Sequence, residues 1–164
     1  MANTRQFCSF YLDKLLFGVD LRSVQEVIRY LKMTQVPLAP EVVSGLINLR
    51  GQIVTAVDLR RRLDIEPRPA TDLPMNVVVR TEDGPVSLLV DDIGDVLEVS
   101  DDSYELPPQN MVAQQKGLVQ GVYKLDGQLL LVLNTERALE SISDAPSASH
   151  QAYLQSLAKK TSSN

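Results

Sequence analysis

The sequence predicts a mainly β protein made of two similar halves, each folded as a small barrel. Residues 45–63 and 121–139 are one pattern written twice, with six identical positions in an ungapped alignment of nineteen. Ordinary composition would give roughly one or two identities over this length. The rest of the chain consists of short apolar segments between turn signals, with little long helical periodicity. A repeated unit of about five strands fits a barrel, because closure removes exposed strand edges.

The two copies of the repeat agree in their glycines and leucines but differ at the tip of their turn. The identical pairs are Gly45/Gly121, Leu49/Leu125, Gly51/Gly127, Gln52/Gln128, Arg61/Arg137 and Leu63/Leu139. Each copy reads as strand, turn, strand and short helix, with Arg50-Gly51 and Asp126-Gly127 as the turns; Asp-Gly is the stronger hairpin signal. Asp58 and Asn134 follow the second strands and are expected to cap the short helices.

The first 45 residues predict a hairpin, a helix and an extended connector. Residues 6–12 and 15–20 read as strands joined by a turn at Asp13-Lys14. Residues 21–30 place apolar side chains at helical spacing, which predicts a short helix capped by Asp20. The prolines in Val36–Pro40 favour extended backbone, and residues 41–45 are expected to form one helical turn.

The remaining segments repeat this order more faintly. Residues 66–74 hold three of the nine prolines and are expected to form a linker or a protruding loop. Residues 75–90 predict a hairpin around Glu82–Pro85, residues 91–99 echo residues 20–28, and residues 101–117 read as a surface loop. We expect residues 5–140 to form one domain of two barrel subdomains, and residues 141–164 a hinge and tail, with a possible helix over His150–Lys160.

Composition excludes several classes of function. The net charge of -5 argues against general nucleic-acid binding, which needs a positive surface. No apolar run approaches the roughly 18 residues of a membrane helix, and the first residues do not read as a secretory signal. A single cysteine, Cys8, excludes an internal disulfide framework and fits a reducing cytoplasm. The sequence therefore predicts a cytoplasmic protein without an integral membrane segment.

Catalytic and cofactor signatures are weak throughout the chain. The one histidine, His150, lies in the tail, and Cys8 lies in an apolar strand, so neither is a good catalytic candidate. No phosphate-binding glycine motif is present, and no cofactor or metal is predicted. Asp91, Asp92 and Asp95 are the best enzyme-like cluster and could serve a metal-dependent hydrolase. Alternatively, Asp91 caps a turn and the other two face water.

Two groups of arginines are candidates for recognition. Arg50 occupies a tight turn whose geometry does not require arginine, and an exposed guanidinium on a rigid turn suits a carboxylate or a helix end of a partner. Alternatively, the Arg50 side chain is simply exposed to solvent and has no binding role. Arg60–Arg62 could bind a phosphate or an acidic partner, or could complement the dipole at the end of a short helix.

Five segments together identify a family resemblance. They are VDLRSVQEV, VPLAPEVVSG, LINLRGQIVTAVDLRRRL, LLVDDIGDVLEV and GVYKLDGQLLLVLNTERAL, in that order over about residues 5–140. They resemble the CheW family of chemotaxis coupling proteins. The resemblance implies two intertwined five-stranded SH3-like barrels around a shared hydrophobic core, with short helices. It also implies a non-catalytic adaptor that links methyl-accepting chemoreceptors to the histidine kinase CheA, in arrays at the inner membrane.

The resemblance also implies a receptor-binding site. Arg50 in NLRG would contact the tip of a receptor's cytoplasmic helical hairpin, and the same groove would be lined by Val24, Glu26, Gly45, Val90 and Asp91. The regulatory domain of the kinase would pair with the ends of the barrels, through residues that the motifs do not assign. Two other functions stay open: a coupling protein of a non-flagellar chemosensory pathway for surface sensing or gliding, and the hydrolase that would use the aspartate cluster.

Overall fold

The computed structural model describes residues 3–111 and 117–143, and it describes the side chains as far as residue 140. Within these residues the strands are β1 Thr4–Leu12, β2 Leu15–Asp20, β3 Val24–Ile28, β4 Val43–Leu49, β5 Gln52–Asp58, β6 Met75–Thr81, β7 Gly84–Val90, β8 Asp92–Ser100, β9 Tyr104–Glu105, β10 Val119–Leu125 and β11 Gln128–Leu133. The α-helices are α1 Leu59–Arg62 and α2 Thr135–Ser143, and 3₁₀-helices cover Leu21–Ser23 and Asp101–Ser103.

The strands form two sheets, each curled into a barrel. Barrel A has the strand order β8-β1-β2-β11-β10-β9, and barrel B has the order β3-β6-β7-β5-β4. The edges of barrel B are brought together by the connector between β3 and β4, which makes a bridge from Thr34 to Leu46. The prediction of a mainly β fold with two SH3-like barrels is confirmed, with the two-residue β9 as a sixth strand in barrel A where five were predicted.

The two halves of the chain exchange their first hairpins. The β1–β2 hairpin pairs with β8 and β11 from the second half, whereas the β6–β7 hairpin pairs with β3 and β5 from the first. The two parallel strand pairs are equivalent. Phe17 of β2 pairs with Leu131 of β11, and Val86 of β7 pairs with Thr55 of β5. Leu131 and Thr55 hold the same position in the repeat. The barrels are therefore intertwined, and neither is built from one half of the chain alone.

The repeated glycines mark a close approach in each barrel, of backbone at Gly45 and of an aromatic side chain at Gly121. A β-bulge precedes both of them, between Val43 and Gly45 and between Val119 and Gly121. A Cβ atom on Gly45 would lie 2.6 Å from the carbonyl oxygen of Thr34, and one on Gly121 would lie 2.1 Å from the Tyr104 ring. A larger residue at Gly45 would clash with backbone, whereas at Gly121 it would displace the Tyr104 ring, so the repeat preserves a close approach at both positions.

The hydrophobic core has three parts, of which the largest lies between the barrels. Phe10 and Phe17 of barrel A stack with ring centroids 6.0 Å apart, and they belong to the same buried cluster as Val57 and Leu88 of barrel B. A second cluster around Phe7 fills barrel A, and a third around Ile47 fills barrel B. The shared apolar core is the reason why the two barrels pack as one body.

Two local predictions of helix are wrong. The predicted helix over 21–30 is only the 3₁₀ turn Leu21–Ser23, capped as expected by Asp20, and the chain then continues as β3. Val24, Val27 and Ile28 are all β-branched and suit a strand as well as a helix, and pairing with β6 decides between the two. The predicted helical turn at 41–45 is wrong because β4 begins at Val43.

The other local predictions have mixed outcomes. The hairpin turns at 13–14 and 82–83 and the caps Asp58 and Asn134 are confirmed. Residues 101–117, predicted as a loop, contain a 3₁₀-helix and the short strand β9. The hinge after residue 143, His150 and the tail helix lie outside the described residues.

Candidate functional site

Arg50 is held in an uncommon backbone conformation at the tip of the β4–β5 hairpin. Leu49 pairs with Gln52, so Arg50 and Gly51 alone form the turn, with φ angles of 50° and 86°. The Gly51 amide donates a hydrogen bond to Asn48 Oδ1 at 2.8 Å. The left-handed region costs a residue with a Cβ atom about 1–2 kcal/mol. Asp126, the equivalent residue of the other repeat, does not adopt a positive φ.

The Arg50 side chain forms an ion pair across the seam of barrel B. Its Nη2 donates to Glu26 Oε2, which links the β4 end of the sheet to β3 at the other end. The Arg50 side chain is 69% exposed and that of Glu26 is 21% exposed. The hydrogen bond from Arg50 holds the pKa of the Glu26 carboxyl below its usual value. The pair thus presents charge on the surface where the two edge strands meet.

Val24 on β3 and Gly45 on β4 lie beside the seam where these two edge strands meet, and they contribute backbone more than exposed side chains. Val24 lies on the same strand as Glu26, separated from it by a β-bulge, and packs partly against the shared core. Gly45 is buried on β4, where it allows the connector carrying Thr34 to cross. The structure therefore brings Arg50 and Glu26 into contact and places Val24 and Gly45 on the two strands that carry them.

Val90 and Asp91 are engaged inside the protein. Val90 has no exposed surface and belongs to the shared core. Asp91 is the single residue between β7 of barrel B and β8 of barrel A. Its carboxylate accepts hydrogen bonds from Arg60 Nε at 2.9 Å, from Arg68 Nε at 3.0 Å and from the Asp13 amide at 2.6 Å. In this arrangement the Val90 side chain is inaccessible, and the Asp91 carboxylate, 17% exposed, is engaged in internal hydrogen bonds.

Asp91 is one member of a charged group that we call the joint cluster, formed by Asp58, Arg60, Arg68 and Asp91. All four side chains are largely buried. Burial alone would raise the pKa of Asp91, but the hydrogen bonds from Arg60, the Asp13 amide and Arg68 outweigh it and hold the pKa below its usual value. Asp91 is therefore a charged carboxylate whose neighbours are cations, which is unlike a proton-transfer or metal-binding group.

The run Arg60–Arg62 is used mainly for internal contacts. Arg60 pairs with Asp91, and Arg62 donates to the carbonyl oxygens of Ala138 and Arg137 in α2 at 2.8 and 3.0 Å. Arg61 is half exposed and lies 3.9 Å from Asp58. Arg60 and Arg62 thus tie α1 to its surroundings, and only Arg61 remains directed toward solvent.

Features expected of an enzyme are weak in the described part of the chain. Asp92 and Asp95 are exposed, and Ser9 Oγ donates to the backbone carbonyl of Asp95, not to its carboxylate. Over residues 3–111 and 117–143 no group of three or more histidine, cysteine or acidic side chains is arranged to hold a metal ion. Cys8 is buried, and burial raises the pKa of its thiol, which disfavours the nucleophilic thiolate.

Two features of the site were not predicted from the sequence: the buried position of Arg68 and the contact between Glu26 and Arg50. Arg68 lies in the proline-containing linker, where its only signal is a cation between two prolines. The contact between Glu26 and Arg50 depends on β3 being a strand, which the helical spacing of residues 21–30 concealed. No helix in the described residues is long and apolar enough to cross a membrane.

Comparisons with known proteins agree with this architecture. A family model described as the CheW-like domain matches residues 6–143. The chemotaxis protein CheW of Thermotoga maritima is 32% identical over 136 residues, which cover 82% of this chain and 87% of that protein. That of Treponema pallidum is 26% identical over 140 residues, covering 83% and 82%. The crystal structure of the scaffolding protein TtCheW from Thermoanaerobacter tengcongensis superposes with a TM-score of 0.70 at 29% identity, covering 82% of this chain and 90% of that one.

Proposed function

This chain belongs to the CheW-like domain family of non-catalytic chemotaxis scaffolds, and from that premise we propose that it couples methyl-accepting chemoreceptors to the histidine kinase CheA. The receptor would contribute the tip of its cytoplasmic helical hairpin. The kinase would contribute its regulatory domain. Both contacts would take place in the cytoplasm, at receptor arrays on the inner membrane.

The observation that carries the receptor half of this proposal is the conformation and exposure of Arg50. The residue keeps a left-handed backbone that glycine or asparagine would adopt more easily, and it projects a guanidinium that is mostly exposed. Strain that the fold does not need is a reason to look for function at that residue. A planar donor with five N–H groups suits the carboxylates and free carbonyl oxygens of a helical hairpin.

The ion pair with Glu26 would orient Arg50 without holding it tightly. An exposed ion pair contributes little stability, so Arg50 can exchange its bond to Glu26 for one to a receptor carboxylate at small expense. Val24 and Gly45 would shape the seam beside this pair. Because Val90 and Asp91 are engaged internally, we assign them a supporting role, in which they set the position of the β7–β8 junction.

The kinase contact remains unassigned to residues in this proposal. The affinity of each single contact of such an adaptor can be modest, because simultaneous binding of many copies in an array raises the overall affinity through avidity. The same chemistry would serve a chemosensory pathway that controls surface movement instead of flagella. The identity of the neighbouring genes distinguishes these two pathways.

Charge reversal at Arg50 tests the proposal. Arg50→Glu should weaken binding to a purified receptor cytoplasmic fragment at least about tenfold, because the attraction between residue 50 and receptor carboxylates becomes a repulsion next to the negative charge of Glu26. Lys124→Glu is the matched control: Lys124 makes a similar exposed pair with Glu105, at the corresponding end of barrel A. Isothermal titration of both variants gives the two affinities, and circular dichroism checks that each is folded. Equal affinities for Arg50→Glu and Lys124→Glu would remove Arg50 from the receptor site.

A further inference from the structure

The joint cluster connects both barrels through one carboxylate. Asp91 accepts the amide of Asp13 in the β1–β2 turn of barrel A, and its own amide donates to the Tyr11 carbonyl of the same barrel at 3.0 Å. On its other side it accepts from Arg60, which lies in α1 directly after β5 of barrel B. The chain crosses from one barrel to the other at this residue, so the carboxylate lies at the point where their relative position is set.

Arg68 extends this connection to the linker between the halves. Its side chain is 9% exposed; Nε donates to Asp91 Oδ1 at 3.0 Å, and Nη1 lies 3.9 Å from Asp58. Arg60 Nη1 donates to the carbonyl oxygen of Glu66 at 2.8 Å, which fixes the linker beside Arg68. Prolines on both sides of Arg68 restrict the backbone φ angle. The linker is therefore a stiff segment fastened at the joint between the barrels.

Stability alone does not account for a buried arginine at this place. The desolvation of a buried ion pair often cancels the attraction between its charges, and an apolar replacement can be as stable. Arg68 Nη2 lies 2.9 Å from Asp91 Oδ1 in an ion pair, but without the geometry of a hydrogen bond, so this buried donor is only partly satisfied. The directional contacts that Arg68 does make instead select one arrangement of the linker, α1 and the β7–β8 junction.

We propose that Arg68 is a positioning residue, which fixes the orientation of barrel A relative to barrel B by fastening the 66–74 linker to Asp91. The inference goes beyond the proposed receptor and kinase contacts and does not depend on them. It concerns a distance inside the free protein. The receptor experiment on Arg50 and the experiment on Arg68 can therefore fail independently.

Spin labels at the two hairpins measure this orientation directly. Ile53 and Leu129 hold the same position in the repeat, lie on different barrels and are 65% and 54% exposed. Both are replaced by cysteine and labelled, and Cys8 is protected by burial. Pulsed electron–electron double resonance then gives the distribution of distances between the two labels, and hence between the barrels, in the full chain.

Arg68→Met tests the role of the guanidinium, and Arg61→Met is the control, since Arg61 approaches the same Asp58 at 3.9 Å but from a half-exposed position outside the linker. We expect Arg68→Met to lower the urea midpoint, because it removes one partner of a buried ion pair while Asp91 keeps Arg60, and we expect the folded variant to show a widened or shifted distance distribution. Arg61→Met should leave the distribution unchanged. A folded Arg68→Met variant with the parental distribution would overturn the proposal.

A second variant covers the case in which Arg68→Met does not fold. Arg68→Lys keeps the positive charge but replaces the planar group that contacts Asp91 and faces Asp58 with a single ammonium. The proposal expects a widened distribution in this variant as well, with a smaller change than in a folded methionine variant. If Arg68→Lys gives the parental distribution, charge alone is sufficient and orientation by the guanidinium is refuted.

Discussion

Removing the charge of Asp91 should destabilise the protein far more than removing the charge of its neighbour. Asp91→Asn keeps the size of the side chain but leaves Arg60 and Arg68 without their closest anion, and these side chains are 10% and 9% exposed. Breaking a buried ion pair by removing one partner costs about 3–5 kcal/mol. Because Asp91 is itself 17% exposed and Asp58 remains nearby, we expect about 3 kcal/mol, the lower end of that range.

Urea unfolding of Asp91→Asn, Asp92→Asn and the parent measures this difference at neutral pH. Asp92 is exposed and its substitution should change the free energy of unfolding by less than about 0.5 kcal/mol. The pKa of Asp91 is lower in the folded state than in the unfolded state, so its stabilisation is present above the unfolded pKa and is lost as pH falls through the folded pKa. The difference in free energy of unfolding between the parent and Asp91→Asn should therefore decrease as the pH falls. Equal losses for the two variants, or a gap that is independent of pH, would refute the reasoning.

Two further expectations concern backbone packing and metal binding. Gly45→Ala should destabilise by about 1–3 kcal/mol in urea unfolding, since its Cβ would press on the Thr34 carbonyl oxygen. Gly18→Ala should be milder, because there the Cβ meets the movable Leu130 side chain at 3.0 Å; a tolerated Gly45→Ala would contradict the packing argument. Ca²⁺, Mg²⁺ and Mn²⁺ should leave the thermal midpoint unchanged, whereas a raised midpoint would revive the metal-dependent hydrolase, since a ligand of the folded state must stabilise it.

The fold could be predicted because its signals are local and repeated. Gly45 and Gly121 recur at positions of close approach, to the Thr34 backbone and to the Tyr104 ring, and the turns after Leu49 and Leu125 recur because each closes a hairpin. The helix expected over 21–30 was wrong for a physical reason: β-branched residues at that spacing fit either structure, and only the partner strand β6 selects one.

The candidate site was predictable only in part. Arg50 could be found because arginine is unfavourable in a tight turn, so its presence needed an explanation. Its pairing with Glu26 depends on barrel closure between β3 and β4, which are consecutive in the chain but lie at opposite ends of the sheet, and no local pattern contains this closure. Arg68 was missed because a linker composition predicts exposure, whereas the joint cluster buries the side chain.

The exchange of hairpins between the halves also governs the order in which the chain can fold during synthesis. Phe17 on β2 pairs with Leu131 on β11, so the nascent β1–β2 hairpin leaves the ribosome long before its parallel neighbour exists. At about 5–20 residues per second, the wait for β11 is on the order of ten seconds. During that interval an apolar strand edge is open to other nascent chains, because barrel A cannot close until β11 has been synthesised.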